Sequence, residues 1–459
     1  MKRLPCFLYS VFVLSIASSA FAQTQLVQPA DFAYLGAFRL PGGEDRPQTF
    51  AYGGYAMTFC PTGDAGRSGD GFTGSLFVMG HDRLPYGELP DGNQIAEISI
   101  PAPVNSKDLG AMNTAEFIQP LTNAARGLFT EYDEIPRVGM QYLDAPGVGP
   151  ILFLAWGQHF HEDAVKQAAT HAWISTTLNR PNAKGAWFVG DVSLYSVNGY
   201  LFDAPLQWAN ENTGGKFLVT GRYRDGGWSG QGPALYAFRP YDANGKGAAN
   251  NTRLDCVTLL QYETSRNSED VVSKSMRGYQ HADEWEDGAW LTTKNGKTAV
   301  LFAGTKGVGA KYWYGWANPA GPEVPCIETE FVNDFPTCRK ADGSLCPKSD
   351  LGGCDGHNDY RGWWSSAFSA QFILYNPDDL AKVARGALQS WEPQPYAAVK
   401  LDQQMLLNPG HVEEDMIGRG AQRRFRIGSI AYDRAHDLLY VLEPFADGAK
   451  PVVHVWRIL

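Results

Sequence analysis

Apolar residues along this chain fall in short runs, often alternating with polar ones, and seldom at the wider spacing of an amphipathic helix. β-Branched and aromatic residues fill the runs, and Gly, Pro, Asn and Asp punctuate them, which is strand-and-turn chemistry. Only 162–169 and 378–388 read as short helices. The runs repeat loosely in units. Each unit has a first strand entered through small or polar residues, a strongly apolar second, an alternating third and a variable fourth. The units read 54–60, 75–80, 94–101 and 116–121; 138–143, 150–156, 171–177 and 185–190; 195–202, 215–221, 234–240 and 254–262; 286–293, 298–304, 370–375 and 397–401; then 427–433, 437–442 and 452–458.

The last unit lacks a fourth strand, and segment 34–40 is left over near the start. Pairing the two closes a ring and removes exposed sheet edges. The pattern therefore predicts an all-β chain: a β-propeller of about five four-stranded blades, closed by the mature N-terminal strand. A pair of β-sandwiches or a β-helix is the competing topology, and no WD or kelch signature marks the repeat.

In such a ring, loops joining strands two and three share a face with loops joining one blade to the next. That face receives 80–93, 157–170, 221–233, 263–285, 305–369 and 402–426, the long and chemically rich connections. Long loops on a rigid scaffold are where sites are usually built.

Lys2 and Arg3, the apolar run 7–21 and Ala20-Phe21-Ala22 form the pattern of a cleavable secretory signal. Residues 1–22 are expected to be removed, leaving 23–459 as a single propeller domain with a long insertion at 305–369. A periplasmic or secreted location follows, without a membrane anchor. Loss of the signal leaves 37 basic against 49 acidic residues. That balance argues against nucleic acid or an anionic membrane as partner. The chain is expected to act as a monomer. Six cysteines remain, and Cys326, Cys338, Cys346 and Cys354 crowd the insertion. Disulfides stapling that loop are expected in an oxidising compartment; the spacing is too wide for an ordinary zinc site.

His81, His159, His161, His281, His357 and His411 all fall in first-face loops. Any one of them reads equally as a structural histidine, but together they offer general bases. If the preceding strand continues through it, His159-Phe160-His161 places two imidazoles on one side and, with Glu162 and Asp163, is a weak divalent-metal candidate. Arg222-Tyr223-Arg224 suits a carboxylate or sulfate, or simply an ion pair with Asp225. Trp228 follows in the same loop. Tyr279-Gln280-His281 leads into a carboxylate cluster, Asp283, Glu284 and Glu286. The insertion holds Trp313, Tyr314, His357, Tyr360 and Trp363, whose aromatic faces would stack on sugar rings or pack the loop's own core, with Arg361 among them as a further substrate contact. Asp342, Asp350, Asp355 and Asp359 could ligate calcium, though the ordered calcium-loop motif is absent.

On repeat pattern, export signal and loop aromatics, the mature chain resembles secreted bacterial β-propellers, among them polysaccharide lyases and glycoside hydrolases. The resemblance is architectural and carries over no catalytic motif. It implies a polysaccharide or oligosaccharide partner. A lyase acting on a uronate polymer would use Arg222 or Arg224 to neutralise the carboxylate, His159 or His281 as base, and Tyr223 or Tyr279 as acid. His81, His161, Trp228 and the insertion residues would line the substrate. A glycoside hydrolase would need paired carboxylates from Asp82, Glu162, Asp283 and Glu284. A non-catalytic glycan- or protein-binding propeller is the third reading.

Overall fold

The computed structural model describes residues 25–64, 71–80, 94–125, 127–128, 137–145, 147–156, 169–192, 197, 199–225, 229–242, 244–264, 274–312, 330–332, 335–337 and 363–459. The predicted units form antiparallel blades with four strands each, and Gln25–Leu26 and Arg253–Leu254 add a short parallel strand to blades 4 and 2. Blade 1 runs Met57–Cys60, Ser75–Met79, Gln94–Ser99 and Phe117–Asn123. Blade 2 runs Val138–Ala145, Gly149–Trp156, His171–Ser175 and Lys184–Val189. Blade 3 runs Tyr200–Asp203, Leu218–Gly221, Leu235–Phe238 and Cys256–Leu260. Blade 4 runs Glu284–Thr292, Lys297–Tyr312, Trp364–Tyr375 and Ala397–Lys400. Blade 5 has Ile430–Asp433, Leu438–Asp447 and Lys450–Ile458, and its outer strand is the N-terminal Phe32–Arg39, paired antiparallel with Lys450–Ile458. The ring is closed as the leftover strand predicts.

The first strands of successive blades touch one another around the axis, blade 5 against blade 1 included. Side-chain alternation explains why the second strands are apolar throughout: both faces are buried between neighbours. Leu152 and Leu154 pack with Phe77 of blade 1, while Phe153 of the same strand packs with Leu218 and Tyr236 of blade 3. Likewise Leu301 meets Val441 and Trp456 of blade 5, and Phe302 meets Val219 and Leu235 of blade 3. Leu76 and Val78 join Leu442 and Val455 across the closure.

Three details differ from expectation. The inner strands of blade 4 extend to Tyr312 and back from Trp364, so the insertion begins as a continuation of the blade. A helix, Leu206–Asn212, caps the first hairpin of blade 3. The helix foreseen at 378–388 ends earlier, at Pro377–Ala384. Cys60 and Cys256 are free thiols. The four insertion cysteines, the expected signal segment and helix 162–169, Ala169 excepted, lie outside the described residues. No helix of the described residues is long and apolar enough to cross a membrane.

Candidate functional site at the channel mouth

Blade-to-blade loops deliver their last residues to the axis on the first face, just before each first strand begins. Tyr55 arrives this way from blade 1, Arg137 from blade 2, Tyr279 to Glu284 from blade 4 and Arg423 to Arg426 from blade 5. Blade 3 contributes Arg222 to Asp225, which follow its second strand. Gly304 makes room at this level: a Cβ there would stand 2.1 Å from the Glu284 carbonyl oxygen.

Arg137 is the hub. Its guanidinium donates to Glu286, with Nη2 2.8 Å from Oε1, and reaches Glu284 at 3.4 Å. It also lies over the rings of Tyr55 and Tyr223, 3.8 and 4.7 Å from their centroids. Arg224 and Arg424 approach Glu284 at 3.2 and 3.8 Å. Burial pushes the Glu284 carboxyl up, but Arg224, Arg137 and Arg424 outweigh it, and the group ends below its ordinary value. Glu286 is hydrogen-bonded to Glu284 and has only Arg137 to offset burial, so its pKa rises to about 7. Burial also holds the Tyr55 hydroxyl well above its usual range. Arg423 is buried against the Phe445 ring; its guanidinium reaches the carbonyls of Phe425 and Pro444 at 3.4 Å, and burial lowers its pKa to about 10.

Beside this hub lies a second group, in which Tyr279 and Trp363 are half-buried and His281 and Asp283 are buried. The Tyr279 hydroxyl stands 3.4 Å from His281 Nδ1. The His281 ring stacks on Trp363, with centroids 4.4 Å apart. Burial raises the Tyr279 pKa well above the ordinary tyrosine value, Asp225 and Asp283 add to the rise, and Arg224 opposes it. Asp283 is held by Lys306 Nζ and Gly307 N, both at 2.8 Å, and by Gln280 N at 3.1 Å.

Six of the predicted site residues are therefore neighbours: Arg222, Tyr223, Arg224, Tyr279, His281 and Trp363. Arg222 is fully enclosed, over the Tyr223 ring at 4.8 Å, so Arg224 is the more accessible arginine of the pair. His81, His159, His161, Trp228, Trp313, Tyr314, His357, Tyr360 and Arg361 lie outside the described residues, as do the proposed metal-ligating segments. Among the described residues no three His, Cys, Asp or Glu side chains group to hold a metal ion. His411 is exposed and bonded to Glu414 at 2.6 Å. His171 is fully buried beside Thr170 and Thr220, and burial lowers its pKa to about 3, which makes it structural.

Sequence reasoning passed over Tyr55, Arg137, Arg423 and Arg424. The run Arg423-Arg424-Phe425-Arg426, in an otherwise acidic chain, was the available signal. No family model matches the chain, and no curated protein matches it.

Proposed function

We propose that the channel mouth is the active site of a lyase that cleaves a uronate-containing polysaccharide by β-elimination. The convergence of Arg224, Tyr279 and His281 beside Trp363 carries this reading. Arg224 neutralises the sugar carboxylate, which makes the adjacent C–H more acidic. His281 removes that proton, the electron pair forms a ring double bond, and the C–O bond to the leaving sugar breaks. Tyr279, kept protonated by its surroundings, gives its proton to the departing oxygen. Trp363 offers an aromatic face to a sugar ring.

A hydrolase is less well supported. Glu284 and Glu286 are close enough to share a hydrogen bond, whereas a glycosidase pair stands roughly 5–10 Å apart to straddle the bond it cuts. A non-catalytic glycan-binding propeller would use the same Trp363 ring and Arg224 guanidinium without proton transfer.

Mass spectrometry of products from a panel of uronate polysaccharides decides among the three. Fragments lacking the water of hydrolysis support the lyase, provided His281→Ala abolishes them in a folded protein. Fragments that have gained water point to the carboxylates and overturn it. Binding without fragments moves the assignment to a binding module.

A further inference from the structure

On the face away from the channel mouth, the connection between the third and outer strands of blade 3 reaches across to blade 2. There Arg253–Leu254 pairs in parallel with Phe188 and Val189. Beside this connection lies an open surface groove of about 470 Å³, within the roughly 300–1,000 Å³ usual for small-molecule sites. Asp242 Oδ1 accepts from the backbone amides of Asn244 and Lys246 at 2.8 and 2.9 Å. Gly247 lies so close on the Trp173 ring that a Cβ would stand 2.4 Å from it. Arg239 donates from Nε and Nη2 to the carbonyls of Gly215 and Gly214 at 3.1 and 3.0 Å, which fixes the plane of its guanidinium at the wall.

Three cations line the groove: Lys216, Arg239 and Lys246. Of the two acids that face them, Asp242 is engaged by the turn amides, and Asp255 pairs with Lys216 at 2.9 Å. Asp242 keeps its charge, so three cations and two acids leave one net positive charge, on the side of Arg239 and Lys246, on a chain with a formal net charge of −10. Tyr241 supplies a flat apolar flank.

We propose that this groove is a second binding site, for a carboxylate-bearing sugar unit, separate from the channel mouth. Its size admits a mono- or disaccharide, the oriented guanidinium and the Lys246 ammonium meet the carboxylate, and Tyr241 covers a sugar face. The assignment does not depend on the lyase reading.

The test is calorimetric titration of a galacturonic-acid disaccharide, and of the neutral galactose disaccharide, in the Arg224→Gln background so that the channel mouth is weakened. Lys246→Glu changes a side chain whose turn is held through backbone atoms. The expected result is stoichiometric binding of the acidic disaccharide alone, weakened at least tenfold by Lys246→Glu. Unchanged affinity in Lys246→Glu, equal affinity for the neutral sugar, or no binding would overturn the proposal. Binding present in the natural chain and absent in Arg224→Gln would place the ligand at the channel mouth instead, against this proposal and in favour of the other site.

Discussion

Arg137 and Glu286 are paired across the axis of the ring, with Nη2 2.8 Å from Oε1, although their blades are not neighbours. The contact therefore ties blade 2 to blade 4 over the channel and holds two buried carboxylates together. Removing one partner of a buried pair leaves charge uncompensated, typically at a cost of about 3–5 kcal/mol. Arg137→Met is expected to lose stability on that scale in denaturant unfolding. Glu286→Gln is expected to cost far less, because a carboxyl with a pKa of about 7 is already half protonated at neutral pH. Equal losses in the two variants would show that charge compensation is not what the pair provides.

The Tyr279–His281 contact separates chemistry from binding. Tyr279→Phe keeps the ring against His281 and removes the proton intended for the leaving oxygen. Loss of a general acid lowers turnover by about 10²–10⁴-fold. The expected outcome is a fall of that size in kcat with KM little changed. A rise in KM with kcat preserved would make Tyr279 a binding residue.

The ladders were readable from sequence because runs such as Leu152 to Trp156 and Val300 to Ala303 are apolar on both faces and bounded by turn residues. Even the closure could be read, since a ring with three strands in its last unit needs one from elsewhere. The extension of blade 4 past residue 304 was hidden by Lys306, Gly307 and Gly309, which look like a turn yet sit in a long ladder with a register shift. The site was legible only where its residues adjoin, as in 222–224 and 279–281. Tyr55 and Arg137 are single positions far apart in the chain. Only ring closure brings them to one axis, and no local pattern announces that.

Closure itself is testable. The Tyr34 hydroxyl meets His454 Nδ1 at 2.9 Å, and His454 Nε2 meets Glu443 at 2.8 Å. Glu443 in turn accepts from Leu406 N at 2.8 Å and Leu407 N at 2.6 Å, in the loop that leads to Arg423. Tyr34→Phe should cost about 1–3 kcal/mol, because it leaves a ring nitrogen of the fully buried His454 without its partner. A chain lacking 25–40 should do much worse, because Lys450–Ile458 becomes an open edge; aggregation and a lost cooperative transition are expected. A truncated chain that unfolds cooperatively as a monomer would show that the ring does not need this strand.

Asp287 gives the pH dependence its sign. It lies at the axis on the first strand of blade 4 and accepts from Ser429 Oγ, from Ile430 N at 3.2 Å and from Gly288 N at 2.8 Å. Ser429 Oγ also accepts from Met57 N at 2.9 Å, so one carboxyl joins blades 4, 5 and 1. Burial lifts its pKa from 3.8 to about 8, the three hydrogen bonds only partly opposing this and Glu286 adding to it. The folded value exceeds the unfolded one, so the fold favours the protonated form. That contribution is complete below about pH 4 and is lost as the pH rises through about 8. The natural chain should therefore lose stability progressively from about pH 4 to about pH 8 and level off above that, measured as the denaturant midpoint. Glu286, also raised, acts in the same direction at slightly lower pH. Asp287→Asn cannot ionise and should flatten that decline throughout, and alone above about pH 7, whereas Glu286→Gln should flatten it only below about pH 7. Parallel curves for the natural chain and Asp287→Asn would mean that the carboxyl does not titrate in this range.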